Sequence, residues 1–236
     1  MVVLVAGASG GLGSVLAGML KDKGVTVYGT CRNPDALDET YPFPFIAMDI
    51  TDEDSVAAAL AELVEREGRI DAVVNCVNEM FIGSVAEASM PEVVGLYDTN
   101  VFGAMRLCRQ LAPIMQRQDD GGTIVIMSSL GGILAVPYMS SYTSAKFALE
   151  AFAEAFRHEV KNDNVRLTIM QPVAMHMERG DTGSHLRLVD DVQEGSLSHR
   201  MLKQMSKDTA ASKLTPQMVS SKIIEIIESA EAPLRV

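Results

Sequence analysis

The sequence predicts an α/β fold, a doubly wound parallel sheet in three α/β/α layers forming a single domain over 1–236, and three observations predict it. Short continuous apolar runs alternate with segments of helical apolar spacing along all 236 residues, the pattern of strands covered on both faces and joined by right-handed crossovers. A glycine-rich turn, AGASGGLG (6–13), lies between the first apolar run and the first helical one. Hydrophobic residues make up 47% of the chain, yet no run approaches the roughly 18 apolar residues of a membrane span.

The elements follow in order. VVLVA (2–6) is a strand, and Leu12, Leu16, Met19 and Leu20 share one face of a helix over 12–20 that Gly24 stops. VTVYGT (25–30) and FIAMD (45–49) are the next strands. TDEDSVAAALAELVERE (51–67) is a helix whose acidic first turn suits its dipole. DAVVN (71–75) is the fourth strand. Ser89 and Pro91 open a helix to about 118, which Pro113 is expected to bend or shorten. GGTIVIMSS (121–129) and VRLTIMQ (165–171) are the fifth and sixth strands, with a helix opening at Tyr142 between them. Thr215-Pro216 caps a last helix, and APLRV starts a seventh strand. The stretch from about 173 to 213 has no clear period, and an irregular span of that length in a compact domain is expected to act as a substrate lid.

Composition narrows the function classes. With 31 Asp and Glu against 20 Lys and Arg the net charge is -11, which repels nucleic acid backbones. Mean hydropathy is +0.14, and the surplus apolar surface is expected to be buried in the sheet and in a subunit interface. The apolar N-terminus has no basic leader or cleavage site, so it reads as a strand and not as a signal peptide. Cys31, Cys76 and Cys108 have neither metal spacing nor an even count, and the expected setting is reducing and cytoplasmic. No metal site is expected, since His158, His176, His185 and His199 lack ligand spacing.

The glycine turn carries the first functional signal. Placed between a strand and a helix, its N–H groups and the helix dipole can receive a pyrophosphate. The glycines fall as Gly7, Gly11 and Gly13, a G-x-x-x-G-x-G spacing. Here the chain resembles the classical short-chain dehydrogenases/reductases, a Rossmann-type family whose fingerprint is T-G-x-x-x-G-x-G, with Ala6 standing where Thr is usual. The likeness runs from Gly7 to Thr215, and SSLGGILAVPYMSSYTSAKFALEAF (128–152) is similar to the hydroxysteroid and retinol dehydrogenase members. The resemblance implies cofactor contacts from Ser9, Gly10, Gly11 and Leu12 in the loop, and from Asp49 and Ile50 after the third strand. It implies others from Asn75, from Tyr142 and Lys146, and from Pro172, Val173 and Met175. Asp49 matches the family aspartate near the adenine, or else is a helix N-cap. The second strand ends in YGTCRNP, with Arg32 and no acid before Asp35. An acid there would hold a ribose hydroxyl and an arginine accommodates a 2′-phosphate, so NADP(H) is favoured over NAD(H). Gly10 occupies a position where many NADP-preferring members carry a basic residue.

The second signal is Tyr142 four residues before Lys146, a spacing that puts both on one helix face. A carbonyl reduced by hydride needs a proton, and a phenol of pKa near 10 is poorly matched to neutral pH. A cation about 4 Å away contributes on the order of 4 kcal/mol at an effective dielectric near 20. Lys146 is therefore expected to acidify Tyr142, with the oxidised nicotinamide adding to it. In the family, Asn, Ser, Tyr and Lys form the catalytic set, matched here by Asn100, Ser129, Tyr142 and Lys146. Ser129 would polarise the carbonyl oxygen, and Asn100 would position a water relaying protons from Lys146.

Two segments depart from the family pattern. The usual N-N-A-G is Asn75-Cys76-Val77-Asn78, and the usual P-G is Pro172-Val173, with Met177 in place of the threonine that follows. Met175, Met177, Leu186, Leu188, Val189, Leu197, Met201, Leu202 and Met205 populate the lid, and adaptable methionines suit an irregular apolar ligand. The expected function is an NADP(H)-dependent interconversion of a carbonyl and a secondary alcohol on a hydrophobic small molecule. The alternative is a catalytically silent protein that senses cofactor or scaffolds. The family's pairing through the helices at 90–118 and 142–160 implies a homodimer or homotetramer.

Overall fold

The structure, a computed structural model, describes residues 1–37, 41–176, 187–190, 192–231 and 233–236. Six strands, β1 (Val2–Ala6), β2 (Thr26–Cys31), β3 (Phe45–Ala47), β4 (Ala72–Asn75), β6 (Gly122–Met127) and β7 (Val165–Met170), form the main sheet. Two short strands, β5 (Phe81–Ile82) and β8 (Arg187–Leu188), pair separately. The main sheet is parallel throughout in the order β3-β2-β1-β4-β6-β7. The chain winds outward in opposite directions from β1 and β4, so a crevice opens beyond their carboxyl ends. Ala6 lies level with both Thr30 and Asn75, so three loops leave the sheet side by side into that crevice.

Helices cover both faces. On one side α2 (Glu53–Glu67), α4 (Gly103–Gln116) and α5 (Ser140–Val160) bury Leu60, Leu107, Leu111, Leu149 and Phe156 against the strands. On the other, α1 (Gly11–Asp22) and α7 (Pro216–Glu228) bury Leu16, Leu20, Ile223 and Ile227. Each such side chain contributes about 1.5–3 kcal/mol by leaving water. A third cluster, with Phe81, Leu96, Met139 and Val189, joins the small sheet to α3 (Met90–Tyr97) and α6 (Leu197–Ala211). Helix starts are set by local chemistry: the Asp52 side chain accepts from the N–H groups of Asp54 and Ser55, and Ser89 and Glu92 close a reciprocal capping box.

The helix expected from 89 to about 118 is interrupted at a different place. A π-turn over Asp98–Phe102 separates α3 from α4, while Pro113 sits inside α4 without ending it. The seventh strand is a short extension: Arg235 bridges to Ile169 in parallel, and Gln171 N–H donates to the Val236 carbonyl at 2.8 Å. Within the expected lid, β8 and α6 are regular, where the sequence reading gave no pattern. Met177, His185 and Leu186 of that stretch lie outside the described residues. Among the described residues no helix is long and apolar enough to cross a membrane.

Candidate active site

The glycine turn brings α1 unusually close to the end of β1. A Cβ on Gly13 would lie 2.3 Å from the Gly7 carbonyl oxygen, so only glycine permits that approach. Gly7 itself has φ +76° and packs against Val77 at the end of β4, the left-handed region glycine adopts freely. The N-terminus of α1 has no side-chain cap and no acidic residue in its first turn. Its N–H groups and dipole thus remain available to an anion. This cradle, which a Cβ would fill, fits a pyrophosphate.

Two cavities meet at this turn. One, of about 370 Å³, is lined by Gly7, Gly10, Gly11, Leu12, Gly13, Ser129, Tyr142, Lys146, Pro172, Val173 and Met175 among others. The second, of about 470 Å³, is lined by Gly7, Ser9, Gly10, Arg32, Asp49 and Ile50 among others. Gly7, Gly10, Cys76, Asn78 and Met80 border both, so the pair is one bipartite groove across the switch point. A dinucleotide has the same bipartite form. Burial alone pushes the Cys76 thiol up to about 12, which keeps it protonated and neutral in the groove.

Asp49 is not the cap of α2, since Asp52 holds that role. Its Oδ1 accepts from the Thr51 N–H at 2.9 Å and the Thr51 hydroxyl at 2.7 Å. Burial works to raise this carboxyl, but the Thr51 hydrogen bonds and the Arg32 and Arg106 guanidiniums hold it below the usual carboxylate range. Arg32 is exposed at the rim of the same cavity.

In the first cavity, Tyr142 and Lys146 lie one turn apart at the start of α5, 6% and 1% exposed. Ser129 lies just past β6; its Oγ accepts from the Gly131 N–H at 3.1 Å, and it shares a hydrogen bond with the Tyr142 hydroxyl. The Lys146 ammonium donates to the Met127 carbonyl at 2.9 Å, and its Nζ lies 5.7 Å from the Tyr142 ring centroid. The electrostatics differ from the sequence expectation of an acidified phenol. Burial pushes the Tyr142 phenol up, opposed only by the Ser129 hydrogen bond. Burial also pushes Lys146 down to about 7, with the Glu150 carboxylate opposing. The reason is desolvation: two charges that would stabilise each other in water are both disfavoured where water is excluded.

Two expected site residues face elsewhere. Both ends of the Asn100 carboxamide, at the π-turn, bind the Glu79 backbone: Nδ2 donates to the carbonyl at 2.7 Å and Oδ1 accepts from the N–H at 2.8 Å. Asn75 Oδ1 accepts from the Val77 N–H at 3.2 Å. These two residues pin the strap after β4 and are not among those lining either cavity. The sequence reading also missed Arg187, which lines the second cavity and ion-pairs with Glu79 at 3.1 Å and Glu92 at 3.3 Å. Among the described residues no cluster of three or more His, Cys, Asp or Glu could hold a metal.

Comparison with known proteins agrees with this architecture. The family described as short chain dehydrogenase matches residues 1–182. A 3-ketodihydrosphingosine reductase of Bacteroides thetaiotaomicron is 30% identical over 236 residues, covering 99% of this chain and 86% of that protein. A dehydrogenase/reductase SDR family member 7B of Bos taurus is 28% identical over 189 residues, covering 74% of this chain and 58% of that protein. The crystal structure of a short-chain dehydrogenase from Streptomyces avermitilis superposes with a TM-score of 0.87 at 29% identity, covering 100% of this chain and 87% of that one. A glycine cradle at the switch point of a parallel sheet, on a sequence matching one family over most of its length, places the chain among the short-chain dehydrogenases/reductases, as a NAD(P)-dependent oxidoreductase.

Proposed function

We propose that the protein interconverts a hydrophobic ketone and its secondary alcohol, with NADP(H) favoured over NAD(H) and Tyr142 exchanging the proton. The observation that carries this reading is the buried Tyr142 hydroxyl, paired with Ser129 in the cavity that adjoins the glycine cradle. The Gly7–Gly13 turn would hold the pyrophosphate of a bound dinucleotide and Arg32 and Asp49 its adenosine, and the cofactor would there supply or accept the hydride. Ser129 orients and polarises the substrate oxygen. In reduction the Tyr142 hydroxyl gives its proton to that oxygen, and in oxidation the phenolate takes it back. Lys146, carrying a proton for part of the time near pH 7, stabilises the phenolate while it exists. Asn100 acts through the strap it holds, its carboxamide engaging both backbone groups of Glu79.

A raised phenol is no obstacle to reduction, since it leaves Tyr142 protonated at neutral pH and ready to donate. The apolar lining from Met80, Val136, Met139 and Met205 suits an aliphatic ketone. The Bacteroides relative is by name a reductase of a keto compound, which supports the same substrate class here. Phe102 at the π-turn and Phe147 on α5, 46% and 44% exposed, are apolar enough to sit in a homodimer or homotetramer interface, and the predicted setting is cytoplasmic. A cofactor-sensing role without turnover is the second reading, favoured by Cys76 and Asn78 in the strap.

The test is a titration with NADPH and with NADH by fluorescence, followed by a ketone panel. NADPH is expected to bind more tightly and to be oxidised by at least one apolar ketone. Tyr142→Phe should bind NADPH normally and lose on the order of 10²–10⁴ in kcat/KM. Wild-type binding without oxidation by any ketone favours the sensor, and activity of Tyr142→Phe within a few-fold of wild type removes the phenol as proton donor.

A further inference from the structure

We propose that Glu150 is a positioning residue of the proton-transfer set, its carboxylate holding the Lys146 ammonium in the charged form while Arg235, paired with the same carboxylate, limits that hold. This rests on the reading of Tyr142 and Lys146 as the groups that exchange the proton and stabilise the phenolate. Among the described residues Lys146 and Glu150 are the only charged side chains that are buried, 1% and 4% exposed. They lie four residues apart on α5, the spacing that sets two side chains on one helix face. A charge is retained in the interior only where an opposite charge and hydrogen bonds offset its lost hydration, and here each residue offers the other that charge.

The carboxylate is fixed in place by its neighbours. Its Oε1 accepts from the Gln171 side chain, just past β7, at 3.0 Å, and its Oε2 accepts from Arg235 Nε at 3.0 Å. The loop after β6 closes over it: a Cβ on Gly132 would lie 2.9 Å from Glu150 Cγ and 3.2 Å from Oε1. A larger residue at 132 would therefore displace the carboxylate. With Lys146 Nζ donating to the Met127 carbonyl and Glu150 bound to Gln171 and Arg235, the two act on each other through space. The carboxylate opposes the burial that pushes the ammonium down to about 7.

The other charges nearby are engaged elsewhere. Arg235 also pairs with Glu154, one turn further along α5 and half exposed. On the elements packed against α5, Asp98 of the π-turn pairs with Arg106, Glu92 of α3 with Arg187, and Arg109 of α4 with Glu53. Tyr142 is held neutral by its burial. That leaves Glu150, and Arg235 through it, to set the potential at Lys146.

Lysine labelled with 13C at Cε lets the titration of Lys146 be read by NMR, its signal identified by its absence in Lys146→Met. Glu150→Gln keeps the volume and removes the charge, whereas Arg235→Gln removes a repelling cation and leaves the carboxylate unshared. The Lys146 midpoint is expected to move about one pH unit lower in the first and about half a pH unit higher in the second. A purely structural lesion has no reason to move one lysine in opposite directions. In ketone reduction, the pH at which kcat has fallen to half its plateau on the alkaline side should follow the lysine midpoint in both variants. An unmoved midpoint in a folded Glu150→Gln overturns the proposal, and so does a shift of the same sign in both. Should Glu150→Gln not fold, the sign of the shift in Arg235→Gln decides, since that side chain is partly exposed. A kcat profile that ignores a shifted lysine overturns the role in proton transfer. Midpoints that move as expected in a protein that reduces no ketone remove the reductase reading and leave the charge coupling standing.

Discussion

At the residue scale, Lys146 decides how the site responds to pH. Its ammonium is buried and stabilised by one carbonyl, that of Met127, and by the Glu150 carboxylate. Folding therefore pushes its pKa down to about 7, from about 10.4 in an unfolded chain. Between those values the unfolded chain holds a proton that the native one has released, so stability rises with pH through this window. The buried thiols act oppositely. Cys76 and Cys108 are pushed up to about 12, and an acid raised on folding subtracts stability once the unfolded thiol ionises above about pH 8.5. The depressed carboxyls, such as Asp49 and Glu92, have made their contribution well below pH 7. From pH 7.5 to 8.5 urea unfolding should thus show a net gain of about 0.5 kcal/mol in wild type, the Lys146 gain outweighing the thiol loss, and a fall of about 0.7 kcal/mol in Lys146→Met. A flat wild-type profile would mean that the ammonium is better solvated than its burial implies. The identity of this residue was legible from the four-residue spacing to Tyr142, but its electrostatic state was not. Spacing gives proximity, whereas the sign of the shift depends on burial, which only the packed fold sets.

At the element scale, α1 offers a paired test of the glycine cradle. Gly13 and Gly18 lie on the same helix, yet an added Cβ meets the Gly7 carbonyl oxygen at 2.3 Å in the first case and nothing within 4 Å in the second. Gly18→Ala should stabilise the fold by about 0.5–1 kcal/mol through helix propensity alone, with dinucleotide affinity unchanged. Gly13→Ala should lower the thermal midpoint and abolish measurable dinucleotide binding, because helix and strand must separate. Equal behaviour of the two variants, in midpoint and in binding titration, would show that the close approach is not needed. The main-sheet strands and the helices packed on them were legible because apolar periodicity marks each one. The π-turn at Asp98–Phe102 was not, since one widened turn leaves the spacing on either side almost unchanged, and Pro113 gave a stronger signal at the wrong place. Strands β5 and β8 have two residues each, too few to show a period. Helix α6 did carry one, in Leu197, Met201, Leu202 and Met205, but the polar residues between them made it read as an irregular lid. Asn75 and Asn100 were found as residues and assigned to the cofactor and the chemistry by family pattern. Their hydrogen bonds to Val77 and Glu79 instead shape the strap after β4.

At the scale of the whole molecule, the net charge of -11 stands against a strongly anionic cofactor, and the two fields act over different distances. In 10 mM salt the Debye length is about 30 Å, longer than the radius of gyration of about 18 Å expected for a domain of this length, so an approaching dinucleotide meets the net negative field. In 150 mM salt it is about 8 Å, and the field at the rim of the cavity bordered by Arg32 and Asp49 is set by nearby groups, Arg32 and the α1 N-terminus among them. Adding salt should therefore speed association, opposite to the steering of ligands toward an oppositely charged protein. The expected rise in the association rate from 10 to 150 mM is about threefold on this screening argument, read by stopped-flow fluorescence of NADPH. Arg32→Ala should slow association more in 150 mM salt than in 10 mM, because one guanidinium is a small part of the whole field but a large part of the local one. A wild-type rate that falls steadily with salt would mean the positive potential of the groove reaches past the acidic surface even when unscreened, and the repulsion argument would be wrong.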